Sequence, residues 1–286
     1  MNTAGPTSPF TVLLRLSRWR FWSYLAGPYL LGYTAGVGNL SLLLRWWFWV
    51  HLLFFVFPAN LLLYGVNDLF DADTDSRNPK KGPVEHRLSQ SDRPVVRGGV
   101  AAALVLALVL VAAQRSLANA VALLTFVMLA VAYSMPPFRL KARPILDSAS
   151  NVLYAVPGFL GWQQASGRPV PLIAVLIAGL WTAAMHLFSA IPDIQSDSEA
   201  GLKTTATVLG HRGSLAVCAM LWLTFVGCIL GTGVLWPWSL ALLVYPAIPA
   251  VVLGRPPQSA VRAYWYFPAI NSFMGMAGFF VVALNK

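Results

Sequence analysis

The sequence predicts an all-α membrane protein with nine transmembrane helices, and three observations point there. First, of 286 residues 57% are apolar and only 10% are charged, whereas a soluble domain carries about 25% charge. Second, the apolar residues fall into nine runs, near 21–37, 46–66, 98–114, 117–135, 145–162, 170–192, 214–233, 237–253 and 263–284, the shortest of them at the low end for a bilayer span. Third, with the N-terminus inside, sixteen of the twenty lysines and arginines fall on the cytoplasmic side. Only Arg45, Arg115, Arg168 and Lys286 fall outside, the asymmetry of the positive-inside rule. A formal charge of +10 also suits nucleic acid, but its confinement to the cytoplasmic loops assigns it to orientation and membrane lipid, with no nucleic-acid partner expected.

The elements follow in order. Residues 1–20 are polar and carry Arg15, Arg18 and Arg20. The run at 21–37 is long for the core of a signal peptide and more spans follow, so an uncleaved first helix is expected. The 98–135 stretch is interrupted only by Arg115 among charged residues and reads as a hairpin of two helices. Pro136-Pro137 ends the fourth helix. Cys218 and Cys228 share one run, where ten residues of helix hold them about 15 Å apart, so they cannot pair. Trp19, Trp22, Trp46, Trp47 and Trp49 suit an interfacial belt. A single integral-membrane domain over 1–286 is expected, in a bacterial cell membrane, with the first motif loop at 67–97 and the second at 193–213. The long connection between Asp75 and Arg97 reads as a cap over a polar site.

Polar chemistry concentrates in three places. In Asn67-Asp68-x-x-Asp71-x-x-x-Asp75, the three carboxylates share one helical face and Asn67 edges it, while Asp73 points away. Carboxylates so arranged repel unless a cation lies between them. All-oxygen ligands suit Mg²⁺, which takes one or two carboxylates plus a substrate's phosphates. Asp193 and Asp197 form a second acidic face, with Glu199 off it. Two acidic faces, each at the end of an apolar helix, suggest halves of one metal–diphosphate site. Between them in sequence lies Tyr133–Asp147, where Arg139, Lys141 and Arg143 alternate, as if on one side of an extended strand. Arg139 and Lys141, with Lys203 in the second loop, are candidates for diphosphate oxygens; Arg143 is expected to be an orientation anchor.

A structural cation site or a transporter's ion pathway is the competing account of intramembrane acids. Paired motifs with a basic cluster on the same side favour catalysis. His51, His86, His186 and His211 show no zinc-ligand spacing, and the nucleophile-elbow, P-loop and C-x-x-C signatures are absent.

Asn67-Asp68-x-x-Asp71-x-x-x-Asp75, then Tyr133-Ser134-x-Pro136-Pro137-x-Arg139-Leu140-Lys141, then Asp193-x-x-x-Asp197-x-x-x-Gly201 together resemble the UbiA-type intramembrane prenyltransferases. Within that superfamily, Asn78-Pro-Lys-Lys-Gly82, Val84-Glu85 and Arg143-Pro-x-x-Asp147 resemble the carotenoid branch, the lycopene elongases. The resemblance implies a helical bundle around a central cavity open to lipid, and Mg²⁺-dependent transfer of a prenyl group from an allylic diphosphate. Mg²⁺ would be held by Asp68, Asp71, Asp193 and Asp197, with Asp75 in its water shell. Lys141, Arg139 and Lys203 would bind the diphosphate, and Asn67 a phosphate oxygen or Asp71. Tyr133 would either face the allylic cation with its ring or pack the helix end. The acceptor is lipophilic, with lycopene favoured. The alternative is an aromatic acceptor of the 4-hydroxybenzoate, dihydroxynaphthoate or homogentisate type, with Arg18 and Arg20 on its carboxylate. The family's usual Arg-Pro pair is missing there, since the chain reads Arg18-Trp-Arg20.

Overall fold

The structure, a computed structural model, describes residues 8–75 (the backbone alone at 72–75), 88–234 and 236–286. Every regular element among them is helical. Helix α1 (Pro9–Leu16) is short, capped by Ser8 Oγ on the Thr11 N–H, and buries Val12 and Leu16 against Leu61 and Val96. Helix α2 (Ser23–Gly36) follows. The expected second span is two helices, α3 (Trp46–Val56) and α4 (Pro58–Asp75). Pro58 has no N–H to continue α3, so Phe57 leaves helical geometry. The carbonyls freed at the break are taken by Asn60 Nδ2, which donates to Phe55 O at 2.8 Å and Val56 O at 3.0 Å. Helix α4 then runs through the whole acidic motif.

Helices α5 (Arg93–Ala112) and α6 (Leu117–Ala132) form the expected hairpin, with Ser116 capping Asn119. The stretch at 145–162 was expected as one span, but the structure divides it into α7 (Leu146–Ala149), a 3₁₀ turn Ser150–Tyr154 and α8 (Val156–Ser166). Its polar side chains cause the break: Ser150 and Asn151 donate to the Asp147 carbonyl, at 3.3 and 2.6 Å, in place of solvent. Helix α9 (Leu172–Ala190) leads through a 3₁₀ turn, Ile191–Asp193, to α10 (Ile194–Glu199). Helix α11 (Thr205–Thr232) bends at Gly210, whose φ is +65°. Helices α12 (Val244–Leu253) and α13 (Gln258–Leu284) complete the chain.

Among the described residues two larger apolar cores form beside the small cluster around Leu16. One gathers Tyr29, Phe48, Phe55, Leu62, Phe126 and Leu160 from α2, α3, α4, α6 and α8. The other gathers Phe188, Trp222, Tyr245 and Phe267 from α9, α11, α12 and α13. They meet where α13 packs on α2 and where α9 packs on α7 and the 150–154 turn. Among the described residues five stretches are long and apolar enough to cross a membrane: Trp46–Asp71, Arg93–Ala112, Leu172–Glu199, Thr205–Thr232 and Gln258–Leu284. Their outward faces stay apolar; Phe273, Met276 and Phe280 on α13 are all exposed, as side chains facing lipid are. Cys218 is buried, its thiol on the Ala184 carbonyl, and both cysteines are free.

Candidate functional site

Helix α4 delivers Asp68 and Asp71 one turn apart, both almost without solvent access, at 1% and 4% exposure. A bare carboxylate in such a place is costly, and each has a cation. Arg18 Nη2 lies 3.1 Å from Asp68 Oδ1, and its guanidinium sits 4.6 Å over the Tyr64 ring. Lys141 Nζ pairs with Asp71 Oδ2, while Arg139 Nη2 stands 4.0 Å from Oδ1. Asn67 Nδ2 donates to Asp71 Oδ2 at 2.7 Å and to Ser134 Oγ at 3.0 Å, which ties α4 to the end of α6. Helix α4 thus brings two members of the expected acidic face, Asp68 and Asp71, to one buried side. The side chain of Asp75, and residues 76–87 of the cap expected between Asp75 and Arg97, lie outside the described residues, while residues 93–97, expected in that connection, already belong to α5.

The basic residues reach Asp71 by a route the alternating pattern did not foresee. Arg139 has a left-handed backbone, φ +39°, and Leu140–Ala142 is a 3₁₀ turn, so this is not an extended strand. The Lys141 N–H returns to the Tyr133 carbonyl at 3.1 Å, which folds the loop back over α6 and α4. Arg139 and Lys141 converge on one carboxylate, while Arg143 turns away and donates to the Pro137 carbonyl at 3.0 Å.

In the second motif Asp193 ends the 3₁₀ turn and Asp197 lies in α10, both half-buried. Glu199 is exposed and accepts from Gln195 Nε2 at 3.0 Å, off that face as expected. Lys203 is exposed. Among the described residues no three Asp, Glu, His or Cys side chains gather around one point. Tyr133, next to the Ser134 that holds Asn67, meets His186 edge-on at 6.0 Å, on the α9 helix that leads to Asp193.

Some site residues were not assigned these places from sequence. Arg18 was read as an orientation charge or a carboxylate ligand, but here it is the counter-ion of Asp68, fifty positions away. Its left-handed backbone, φ +51°, which turns it inward, leaves no sequence signal. Behind it runs a line of phenols. The Tyr64 and Tyr154 hydroxyls are 3.2 Å apart, Tyr154 meets the Tyr24 ring edge-on at 6.3 Å, and Asn271 Nδ2 donates to Tyr24 Oη at 2.9 Å. This aromatic wall lies at the join of the two cores.

The donor set is hard oxygen throughout, and the carboxylates of α4 already sit against positive charge. Carboxylate oxygens of this kind suit Mg²⁺, and the adjacent Lys141 and Arg139 suit the oxygens of a diphosphate.

Comparison with known proteins gives the family. The UbiA prenyltransferase family matches residues 20–278. A lycopene elongase/hydratase of Haloarcula japonica is 42% identical over 275 residues, covering 95% of this chain and 90% of that protein. One of Haloferax volcanii is 45% identical over 267 residues, covering 91% and 85%. Among solved structures, a UbiA homolog from Archaeoglobus fulgidus bound to GPP and Mg²⁺ superposes with a TM-score of 0.67 at 23% identity, over 95% of this chain and 99% of that one. The fold, the apolar helices and the match across nearly the whole length lead to one assignment: the chain is an integral membrane protein that belongs to the UbiA prenyltransferase family.

Proposed function

We propose that this chain transfers a prenyl group from a short allylic diphosphate, such as dimethylallyl diphosphate, to lycopene, with Mg²⁺ as cofactor. The observation that carries the reading is the buried acidic face of α4 set against Arg18, Lys141 and Arg139, in a chain 42% identical to a lycopene elongase/hydratase. The acceptor reading rests on the lycopene elongase/hydratase relatives at 42% and 45% identity, whereas the aromatic-acid alternative needs a cation for the acceptor's carboxylate. A polyene needs no such group; it enters from lipid and lies against apolar and aromatic side chains.

Mg²⁺ when bound neutralises charge on the leaving diphosphate. Asp68, Asp71, Asp193 and Asp197 would hold it, with Asp75 accepting from its water. Lys141, Arg139 and Lys203 bind phosphate oxygens, where negative charge grows as the C–O bond breaks. Asn67 keeps Asp71 aimed through its second bond to Ser134. The Tyr133 ring faces the allylic cation, and the phenol wall behind Arg18 keeps water from it. Lycopene's terminal double bond attacks the cation, and proton loss or water capture completes the product. The whole chain, 1–286, acts as one domain of nine spans around a central cavity, with its N-terminus and both acidic motifs cytoplasmic.

Purified protein given dimethylallyl diphosphate, lycopene and Mg²⁺ should release diphosphate, and chelation should stop the release. Release with 4-hydroxybenzoate but not with lycopene would assign an aromatic acceptor, and no release with either would remove the enzyme reading.

A further inference from the structure

We propose that Asp147 is a positioning residue for the diphosphate site. It clamps the start of α11 to the loop that carries Arg139 and Lys141, and so sets the second acidic motif beside the basic cluster. The inference rests on the prenyl-diphosphate reading above.

Asp147 is completely buried. Its carboxylate is satisfied by N–H and O–H donors: Oδ2 accepts the Thr205 backbone N–H at 2.6 Å, while Oδ1 accepts the Ser148 N–H at 2.7 Å and the Thr205 hydroxyl. Asp147 and Thr205 are 58 positions apart. Thr205 opens α11, just after the Thr204 cap, so the carboxylate takes a backbone N–H that the helix itself leaves without a partner and faces the positive end of its dipole. The Thr205 hydroxyl oxygen also accepts the Ile145 N–H at 2.6 Å. Ile145 stands at φ +71°, ψ −49°, a strained conformation for a β-branched residue, and one that persists only where surrounding bonds over-determine it. Thr205 and Asp147 supply those bonds.

Both flanks of the clamp lead directly to the site. Upstream, the Asp147 N–H bonds the Arg143 carbonyl at 2.9 Å, and Lys141 returns to Tyr133. Downstream, Lys203 immediately precedes the Thr204 cap, and the Leu202 N–H bonds the Asp197 carbonyl at 2.8 Å. Both carboxylate oxygens of Asp147 are taken by protein donors, so it acts by setting how far Lys203 and Asp197 stand from Lys141.

Asp147→Asn tests this with little change of volume, since an amide puts N–H where Thr205 needs an acceptor. The full chain in detergent, with Mg²⁺, is titrated calorimetrically with dimethylallyl thiolodiphosphate, whose bridging sulfur resists ionisation. Wild type should bind. Asp147→Asn and Thr205→Val should each bind at least tenfold more weakly, Thr205→Ser within twofold of wild type, and the double variant no more weakly than Asp147→Asn alone. In turnover, KM for the diphosphate should rise while KM for lycopene holds. If Asp147→Asn does not fold, Thr205→Val decides. Wild-type affinity in both variants, with only a lower melting temperature, would leave Asp147 a structural residue and overturn the inference while the prenyl-diphosphate reading stands. Failure of wild type to bind would overturn both.

Discussion

Asp71 is held by Lys141, Asn67 and, more distantly, Arg139, and a buried carboxylate so supported depends on its cation. Breaking a buried pair from one side costs about 3 kcal/mol or more. Lys141→Met should therefore lower the melting temperature of the purified protein, and adding Asp71→Asn should restore much of the loss. Neither variant should turn over substrate, because the restored one still lacks the diphosphate ligand. Equal melting of wild type and Lys141→Met would show that the pair does not carry the charge of Asp71. Asp68→Ala should likewise abolish product, measured at matched protein amounts, since it removes an oxygen donor that no neighbour replaces. The carboxylates were legible in sequence because spacing on a helix is a local property. Their cations were only half legible: Lys141 and Arg139 share a motif, but the inward turn of Arg18 depends on a left-handed residue that ordinary side-chain chemistry does not announce.

At the scale of elements, α2 and α8 approach each other closely. A Cβ on Gly32 would overlap the Gly158 carbonyl oxygen, and one on Gly161 would lie 2.5 Å from the Tyr29 carbonyl oxygen. Small residues permit this close backbone approach, a frequent device between membrane helices. Gly161→Ala should force the helices apart and lower the melting temperature by several degrees, and Gly32→Ala likewise, while Gly27→Ala, with no atom near its added methyl, should be tolerated. Thermal melting followed by size-exclusion chromatography distinguishes them; equal behaviour of the three would contradict the packing. The α5–α6 hairpin was readable because Arg115 falls between two uninterrupted apolar runs. The break at Pro58 and the division of 145–162 were not, because hydropathy registers that Asp147, Ser150 and Asn151 are few among apolar neighbours, not that they bond one another and end a helix. Asp147 was visible only as part of a motif, and its partner Thr205 belongs to another.

Across the whole molecule, the two cores pack so that the ends of α4, α6 and α9 come together at one end of the bundle. The opposite end is marked by the C-terminal residue: Lys286 Nζ donates to the Ala35 carbonyl, at the far end of α2 from Arg18, at 2.8 Å. With the basic residues skewed to one side, an N-terminal tag should report cytoplasm and a C-terminal tag the other face; a cytoplasmic C-terminus would mean that one of the nine runs does not span. The central claim is that this chain joins a five-carbon allylic group to a polyene. It is tested most directly by expressing the chain in a lycopene-producing host and weighing the carotenoids by mass spectrometry. The account predicts carotenoids heavier than lycopene by one or two five-carbon units, with or without water, which disappear with Asp68→Ala. Unchanged lycopene in that host, with prenylation of 4-hydroxybenzoate or a dihydroxynaphthoate by the same membranes, would contradict it.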